Sequence, residues 1–136
     1  MINFYSELEF TLKNETDISD WLSHVIQSED CKEGEINYIF CDDTYLHKVN
    51  LKYLDHDTLT DIISFDYSVG KELHGDIFIS IDRVKDNALD FAVDFNEELR
   101  RVMVHGILHY CGYKDKTKDE KNVMRGKEEY YLNNAV

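Results

Sequence analysis

The sequence predicts an α+β fold in which four strands and about five helices form one domain. Segments with the two-residue apolar spacing of strands alternate with segments that have the wider spacing of helices. The sequence contains no repeats, low-complexity stretches or linkers, and its 136 residues are enough for one hydrophobic core. We therefore expect a single domain that spans residues 1–136.

The start of the chain predicts an edge strand followed by a helix. Polar and apolar residues alternate over residues 4–12, as in a strand with one covered face. Helical spacing follows behind Asn14 and Thr16, which are typical N-cap residues. The apolar positions of this helix are Ile18, Trp21, Leu22, Val25 and Ile26.

A second strand and a second helix are predicted next. Residues 31–35 are polar and indicate a turn, and the apolar run 36–40 indicates a strand. Asp42 and Asp43 are suited to cap a helix that continues to Tyr53.

Two more strands are predicted in the middle of the chain. Residues 60–65 form a short apolar run bounded by polar residues, which favours a central strand. Asp61 and Ser64 are the polar exceptions within it. After a loop at residues 66–74, a further strand is predicted over residues 77–81.

Three helices complete the prediction. Ser80 or Asp82 caps the first of them. Its sheet-facing apolar positions are Val84, Ala88, Phe91 and Ala92. Residues 94–97 and 117–120 have the pattern of capping boxes and should begin the other two helices.

Two histidines on the second of these helices provide the chief chemical motif. His105 and His109 are four residues apart, so they share one helix face and their ring nitrogens can converge on a cation. Gly112 is a typical helix-ending residue, and a chain reversal there can bring the Asp115 carboxylate to the same ion. We therefore predict that His105, His109 and Asp115 bind a metal.

The alternative is that both histidines are structural. Apolar residues fill one broad arc of this helix, and His105 and His109 lie together on its flank. The arc consists of Leu99, Met103, Val104, Ile107, Leu108, Tyr110 and Cys111. Histidines at the edge of a core are where a site open to substrate should lie, and the nearby glycine and carboxylate favour the metal.

The histidine spacing also matches zinc peptidases of the metzincin type, in which Asp115 would occupy the position of the third ligand. In such enzymes a Glu follows the first His and acts as the proton acceptor. Gly106 occupies that position here, which argues against a peptidase. Another metal-dependent hydrolase remains an alternative.

The same stretch resembles the signature of the YbeY endoribonuclease family, H-G-x-L-H-x-x-G-Y-D-H. The matching residues are His105, Gly106, Leu108, His109, Gly112 and Tyr113. Met124 and Glu128 resemble the Met and Glu that follow this signature in the family. Residues 60–65 and 75–79 resemble two further family blocks, T-(D/N)-V-L-S-F and G-D-(I/L)-x-I.

The resemblance implies a metal-dependent endoribonuclease that cleaves single-stranded RNA in ribosomal RNA maturation and ribosome quality control. It implies ribosomal RNA and the small ribosomal subunit or its proteins as partners, with no role for DNA. Combined with the element pattern, it implies a mixed four-stranded sheet in a zincin-like fold with the histidine helix central. The alternative is a ribosome-assembly factor that binds RNA or protein, in which the metal holds the fold and no cleavage occurs.

Two departures from the family pattern affect the site. Asp115 stands where the family has a third His, and Lys114 where it has an Asp. Zinc, one ion per chain, suits two imidazoles and a carboxylate, and the oxygen ligand also favours Mn²⁺ or another divalent ion. Leu54 replaces a family Arg of the kind that stabilises charge at a phosphate, and we expect His56 or Lys114 to compensate.

The sequence does not identify the general base. Three protein ligands leave a position for water, whose pKa zinc lowers. His56, Asp61 and Ser64 are candidates for the proton acceptor by resemblance of position alone. Each is equally explained as a cap, a turn or a buried hydrogen bond.

Charge is distributed unevenly along the chain. The formal net charge is −13, which repels phosphates at long range. Residues 1–99 hold 7 Lys/Arg against 23 Asp/Glu, whereas residues 100–136 hold 8 against 5. The metal-binding end is therefore the basic end and can guide RNA, although a lysine-rich final helix is also explained as a solvated face.

The sequence predicts a cytoplasmic protein without a membrane partner. Nowhere do about 18 apolar residues run together, and the first residues lack the pattern of a secretory leader. Cys31, Cys41 and Cys111 are odd in number and far apart, which fits a reducing compartment.

Overall fold

Residues 1–134 are described by a computed structural model, in which four strands form one sheet. In chain order the strands are β1 (Ile2–Ser6), β2 (Lys32–Cys41), β3 (Ile62–Asp66) and β4 (Glu72–Ser80). Their order across the sheet is β1-β2-β4-β3. The first three strands of this order are parallel, and β3 is antiparallel to β4. The predicted mixed four-stranded sheet is confirmed.

The same residues form five helices around the sheet. They are α1 (Glu15–Ser28), α2 (Asp43–Leu54), α3 (Ile81–Asp90), α4 (Phe95–Tyr110) and α5 (Lys118–Asn133). The predicted α+β class is therefore confirmed. Over residues 1–134 none of these helices combines the length and the hydrophobicity that crossing a bilayer requires.

Apolar side chains form two clusters on opposite faces of the sheet. The larger cluster includes Ile77 and Ile79 of β4 together with residues of α1, α3, α4 and α5. The smaller cluster joins Leu46 and Val49 of α2 to Phe78, which points the other way because successive strand residues alternate in direction. The sheet is thus covered on both faces.

Helix α4 occupies the centre of the larger layer. It contacts α1, α3, α5, β3 and β4. Two tyrosine hydroxyls fasten it to the sheet: Tyr38 donates to the Met103 carbonyl at 2.7 Å and Tyr110 to the Phe65 carbonyl at 2.9 Å. The predicted central position of the histidine helix is confirmed.

Two glycines allow α4 to lie close to the sheet. A Cβ atom at Gly106 would lie 3.0 Å from Ile77 Cδ1, and one at Gly75 of β4 would overlap the Tyr110 hydroxyl oxygen. A glutamate at position 106, which a zinc peptidase would need, would therefore require the Ile77 and Ile62 side chains to shift by a few tenths of an ångström.

The predicted polar turn at residues 31–35 is wrong, because β2 begins at Lys32. Lys32 and Glu33 pair with Glu72 and Leu73 of β4, and a bulge separates Glu33 from Ile36. The predicted strand at 77–81 correspondingly begins earlier, at Glu72. Backbone pairing between β2 and β4 extends both strands beyond their apolar runs. The added residues are largely polar because one face of the sheet is exposed to solvent at this end.

The predicted central strand at residues 60–65 is also wrong in its position, since β3 lies at an edge of the sheet. Its Ile62 packs with the larger cluster, whereas Ile63 is buried in the smaller one. The apolar run reflects cover on both faces, which an edge strand also receives when helices pack on each side.

The first strand and the third helix are shorter than predicted. β1 is an edge strand as expected but ends at Ser6, and the following loop packs Leu8, Phe10 and Leu12 against the core. Helix α3 ends at Asp90, so Phe91 lies beyond it and is 56% exposed. Phe91 does not face the sheet.

Most of the predicted helix caps form. Asp42 accepts from the Tyr45 amide at 2.8 Å and Ser80 from the Arg83 amide at 3.2 Å. The capping box that begins α5 at Thr117 is complete. The predicted box at the start of α4 is absent, because the Asp94 side chain makes no capping bond.

Replacing Gly75 by alanine should destabilise the fold, because the new methyl group overlaps the Tyr110 hydroxyl and the Phe65 carbonyl. We expect the free energy of unfolding in urea to fall by roughly 1–3 kcal/mol. The matched control is Gly126→Ala in α5, where an added Cβ meets nothing within 4 Å and should raise stability by up to about 1 kcal/mol. Equal stability of the two variants would contradict the close approach of α4 to β4.

Candidate metal centre

The three predicted ligands lie together at the end of α4. His105 Nε2 and His109 Nε2 are 2.9 Å apart, and Asp115 Oδ2 is 3.2 Å from the first and 3.3 Å from the second. All three side chains are partly exposed. Two imidazole nitrogens and one carboxylate oxygen thus converge on a point that a metal ion can reach.

Helix-end motifs at both ends of the loop between α4 and α5 position Asp115. At the start, Gly112 has φ 106°, and the Gly112 and Tyr113 amides donate to the carbonyls of His109 and Leu108. This is the Schellman motif that reverses a chain after a helix. At the other end, the Thr117 capping box begins α5 two residues after Asp115. This loop, residues 111–117, is called the ligand loop. It is therefore held by backbone hydrogen bonds and not only by contacts among the metal-ligand side chains.

The hydrogen bonds of the Nδ1 atoms determine the tautomer of each histidine. His105 Nδ1 lies 2.6 Å from Glu128 Oε2, and His109 Nδ1 lies 2.9 Å from the Tyr113 carbonyl oxygen. A carbonyl or a carboxylate can only accept, so both Nδ1 atoms carry hydrogen. In the neutral rings both Nε2 atoms therefore present lone pairs.

The ligand atoms consequently form a set of three acceptors without a donor among them. His105, His109 and Asp115 would repel one another at 2.9–3.3 Å unless a positive species lies between them. The residues thus fit a divalent metal, and their Nδ1–H bonds are of the kind that orients metal-binding histidines. His105, His109 and Asp115 are a group that could hold a metal ion.

The charged residues near His105 favour a positive species at its ring. Burial alone would lower the pKa of His105, but the hydrogen bond and charge of Glu128, followed by the charges of Asp115 and Asp61, raise it above its usual value. Glu128 is itself buried and held by Arg101, whose Nη1 lies 3.4 Å from Glu128 Oε1. A proton and a metal ion would therefore compete for this electronegative site.

Glu29 anchors the ligand loop from the opposite side. It accepts hydrogen bonds from the Tyr113 hydroxyl at 2.6 Å, from Lys127 at 3.2 Å and from the Tyr131 hydroxyl. Burial alone would raise the pKa of Glu29, but these three bonds outweigh it and lower the pKa below its ordinary value of 4.5. Through Glu29, Tyr113 is thus tied to the end of α1 and to α5, and the Tyr113 carbonyl is the group that orients His109.

A cleft of about 460 Å³ opens beside the ligands. Asp61 and Glu98 are acidic groups in its wall, and burial raises the pKa of both. The charge of His105 partly offsets this rise at Asp61, and that of Arg101 at Glu98. Within residues 1–134, Glu98 Oε1 makes no hydrogen bond and its nearest cation is Arg101 Nε at 3.7 Å.

Only some of the predicted catalytic candidates reach the cleft. Asp61 and Ser64 line it. His56 is exposed in the loop after α2 and is not among the lining residues. Lys114 is exposed and lines a separate depression with Glu120. The structure therefore brings two of the four candidates together with the ligands.

Among the basic residues of the second half, Arg101 and Arg125 line the cleft. Arg101 is largely buried and lies within 4 Å of three carboxylates, those of Glu98, Glu128 and Glu129. Arg125 is more exposed, with its Nε 3.9 Å from Glu129. Lys127 instead binds Glu29.

Three residues of the site were not singled out for a role by the sequence. Glu128 matches a family position, but nothing in the sequence alone shows that it reaches His105 from 23 residues away. Asn87, near the end of α3, and Phe91, just beyond it, also line the cleft. The only signal for Phe91 is that its position is apolar just where α3 ends.

Comparison with known proteins identifies the family. The family model described as endoribonuclease YbeY matches residues 2–136 of the sequence. The chain belongs to the YbeY family. The resemblance found in the histidine stretch and in the two strand blocks is thereby confirmed.

Individual relatives agree with this assignment. The endoribonuclease YbeY of Flavobacterium johnsoniae is 67% identical over 129 residues, which are 95% of this chain and 93% of the relative. That of Flavobacterium psychrophilum is 61% identical over 132 residues, 97% of this chain and 94% of the relative. The solution structure of TM1509 from Thermotoga maritima covers 99% of this chain and 89% of its own, with a TM-score of 0.70. Its 24% identity supports the fold alone.

Replacing Glu128 by glutamine should weaken metal binding by about 10- to 100-fold, because the charge that orients and polarises His105 is lost while the side-chain shape is kept. Affinity can be measured by competition with a chromogenic chelator. The matched control is Glu129→Gln, since Glu129 also binds Arg101 but is half exposed. Equal metal affinity of the two variants would exclude the proposed role of Glu128.

Replacing Glu29 by glutamine should lower the free energy of unfolding at pH 7 by about 1–3 kcal/mol, because three donors lose a charged acceptor. The folded pKa of Glu29 is lowered, so its stabilisation is present above 4.5 and disappears as the pH falls below that value. Urea unfolding with a chelator at several pH values should show the two proteins converging in acid. A difference that stays constant with pH would contradict this account.

Proposed function

We propose that the protein is a metal-dependent endoribonuclease that hydrolyses phosphodiester bonds of single-stranded RNA. The observation that carries the proposal is the convergence of three acceptor atoms, from His105, His109 and Asp115, at the wall of an open cleft. Membership of the YbeY family supports RNA as the substrate. The family resemblance also supports ribosomal RNA maturation and ribosome quality control as the process, in the cytoplasm and with the small ribosomal subunit as a partner.

The proposed ion is zinc, one per chain, held by His105, His109 and Asp115. Two imidazoles and a carboxylate suit zinc, and the oxygen ligand leaves manganese or another divalent ion as an alternative. When bound, such an ion supplies Lewis acidity, which polarises a phosphoryl oxygen and favours the ionisation of water. Glu128 and the Tyr113 carbonyl hold the rings with both Nε2 atoms 3.2–3.3 Å from Asp115 Oδ2, where the three atoms would bind the ion.

The proton acceptor in this proposal is Asp61, and Ser64 is the second candidate. Both line the cleft, and burial raises the pKa of Asp61, which makes its carboxylate a stronger proton acceptor. Arg125 is proposed to contact a phosphate, because its guanidinium can form paired hydrogen bonds. Leu54 cannot supply the positive charge of the family Arg. Arg125 is better placed to supply it than His56 or Lys114, because neither of those two residues lines the cleft.

A second candidate function is that of a ribosome-assembly factor that binds RNA without cleaving it. Arg101 favours this alternative. It is the more buried of the two cleft arginines, and three surrounding carboxylates neutralise its charge, so it is poorly suited to stabilise a phosphate during cleavage. Leu54 adds to it, since the residue is 40% exposed and offers no hydrogen bond to a phosphate. In this alternative the metal stabilises the ligand loop.

Cleavage of a labelled single-stranded RNA distinguishes the two functions. We expect wild-type protein to cleave, a chelator to abolish cleavage, and added zinc or manganese to restore it. His105→Ala and His109→Ala should lose both bound metal, measured by elemental analysis, and activity, whereas Asp115→Ala should keep part of the metal because two imidazoles remain.

Asp61→Asn is the sharper test of mechanism, because it should reduce the single-turnover rate by at least about 10²-fold while metal content stays unchanged. Its control is Asp66→Asn, at the exposed end of β3 and outside the cleft lining. Metal-loaded wild type that binds RNA but never cleaves it would support the assembly factor instead. Metal retained by the double histidine variant would show that both histidines are structural.

A further inference from the structure

We propose that Phe91 is a stacking platform for one unpaired base of the RNA substrate, an inference that rests on the endoribonuclease function proposed above. Phe91 lines the same cleft as His105, His109 and Asp115. Its side chain is 56% exposed, although a phenylalanine next to a core is ordinarily buried. An aromatic ring left open in a cleft beside a metal-binding group is suited to hold an apolar, planar part of the ligand.

The backbone after α3 holds this ring in place. Ala92 has φ 54°, in the left-handed region that is unfavourable for alanine. The Ala92 and Val93 amides donate to the carbonyls of Leu89 and Ala88 at 3.2 and 3.0 Å, which forms a Schellman turn. The Phe91 amide still donates to Asn87 at 2.9 Å. Phe91 is therefore presented by a helix end and a closed turn, and not by a loose loop.

The neighbours of Phe91 in the cleft suit a nucleobase. Asn87 lies one helical turn earlier and also lines the cleft, as does Thr60. Asn87 Nδ2 lies 3.5 Å from Asp61 Oδ2, and the Thr60 hydroxyl donates to the Ile62 carbonyl at 3.3 Å. The amide oxygen of Asn87 can accept a hydrogen bond from the polar edge of a base whose face lies on the aromatic ring. The cleft volume of about 460 Å³ is in the range of sites for small ligands and small parts of larger ones.

The acidic charge of the protein favours a contact that does not depend on phosphate neutralisation. The protein carries a formal net charge of −13, and the cleft wall includes Asp61, Glu98 and Glu128. Most RNA-binding proteins gain affinity from phosphate neutralisation. In this cleft Arg125 is available for that contact, whereas three carboxylates surround Arg101. Stacking on an aromatic ring does not depend on net charge, and only an unpaired base exposes its face. Phe91 thus accounts for selection of single-stranded over paired RNA.

Fluorescence of 2-aminopurine in a short single-stranded RNA tests the contact directly. Binding is measured on the full-length protein in a chelator, so that the RNA is not cleaved. We expect Phe91→Ala to weaken binding about 5- to 100-fold and to reduce the quenching of the base, and Phe91→Trp to retain both. Leu89→Ala is the control, because Leu89 is 80% exposed, lies two residues before Phe91 in α3 and is not among the residues that line the cleft.

A scan of abasic sites separates stacking from a structural role. We expect that one abasic position weakens binding by wild type but not by Phe91→Ala, because the base and the ring act as a pair. If every abasic site weakens both proteins equally, or if Phe91→Ala binds as wild type does, the stacking proposal is wrong. Thermal unfolding curves should show that every variant is folded at the temperature of the binding assay. If Phe91→Ala does not fold, Phe91→Trp still tests the proposal.

Failure of this inference is distinct from failure of the proposed function. Wild type that stacks the base yet shows no metal-dependent cleavage would refute the nuclease and keep the platform. Cleavage at an unchanged rate in Phe91→Ala would keep the nuclease and refute the platform.

Discussion

The candidate site depends on two hydrogen bonds, from His105 Nδ1 to Glu128 and from His109 Nδ1 to the Tyr113 carbonyl. They place hydrogen on the outer nitrogen of each ring and leave the inner nitrogens as lone pairs beside Asp115. Without them either ring could turn or change tautomer, and the three acceptors would no longer converge. The close packing of α4 on the sheet, the turn at Gly112 and the docking of α5 all serve to keep these two bonds in place.

The parts of the site that are encoded locally could be predicted from the sequence. His105 and His109 share a helix face by their spacing, and Gly112 ends that helix in the predicted reversal. The capping box at Thr117 involves residues only three apart. Local hydrogen bonds of this kind depend on few neighbours, so residue type and spacing are enough to predict them. Asp115 follows because it lies between two such motifs.

Features that depend on distant contacts could not be predicted in the same way. The start of β2 at Lys32 is decided by pairing with β4, and the edge position of β3 by the order in which strands assemble. Glu128 reaches His105 only because α5 packs back against α4. The residue pattern of a helix or strand predicts which of its faces is buried. It does not predict which other helix or strand packs against that face, so the pairing of the apolar segments could not be predicted.

The long-range contacts of Glu29 bear on when the site forms during folding. Glu29 is 84 residues from Tyr113 and 102 from Tyr131 along the chain, and the Trp21 indole donates to the Tyr131 carbonyl across a similar separation. Contacts between such distant segments cost more loop-closure entropy than local contacts do. During synthesis, α4 leaves the ribosome with both histidines before α5 has supplied Glu128. A nascent chain therefore carries the histidine pair before His105 has the hydrogen bond that orients its ring. The group of residues that could hold a metal ion gains its full geometry only when α5 docks on α4.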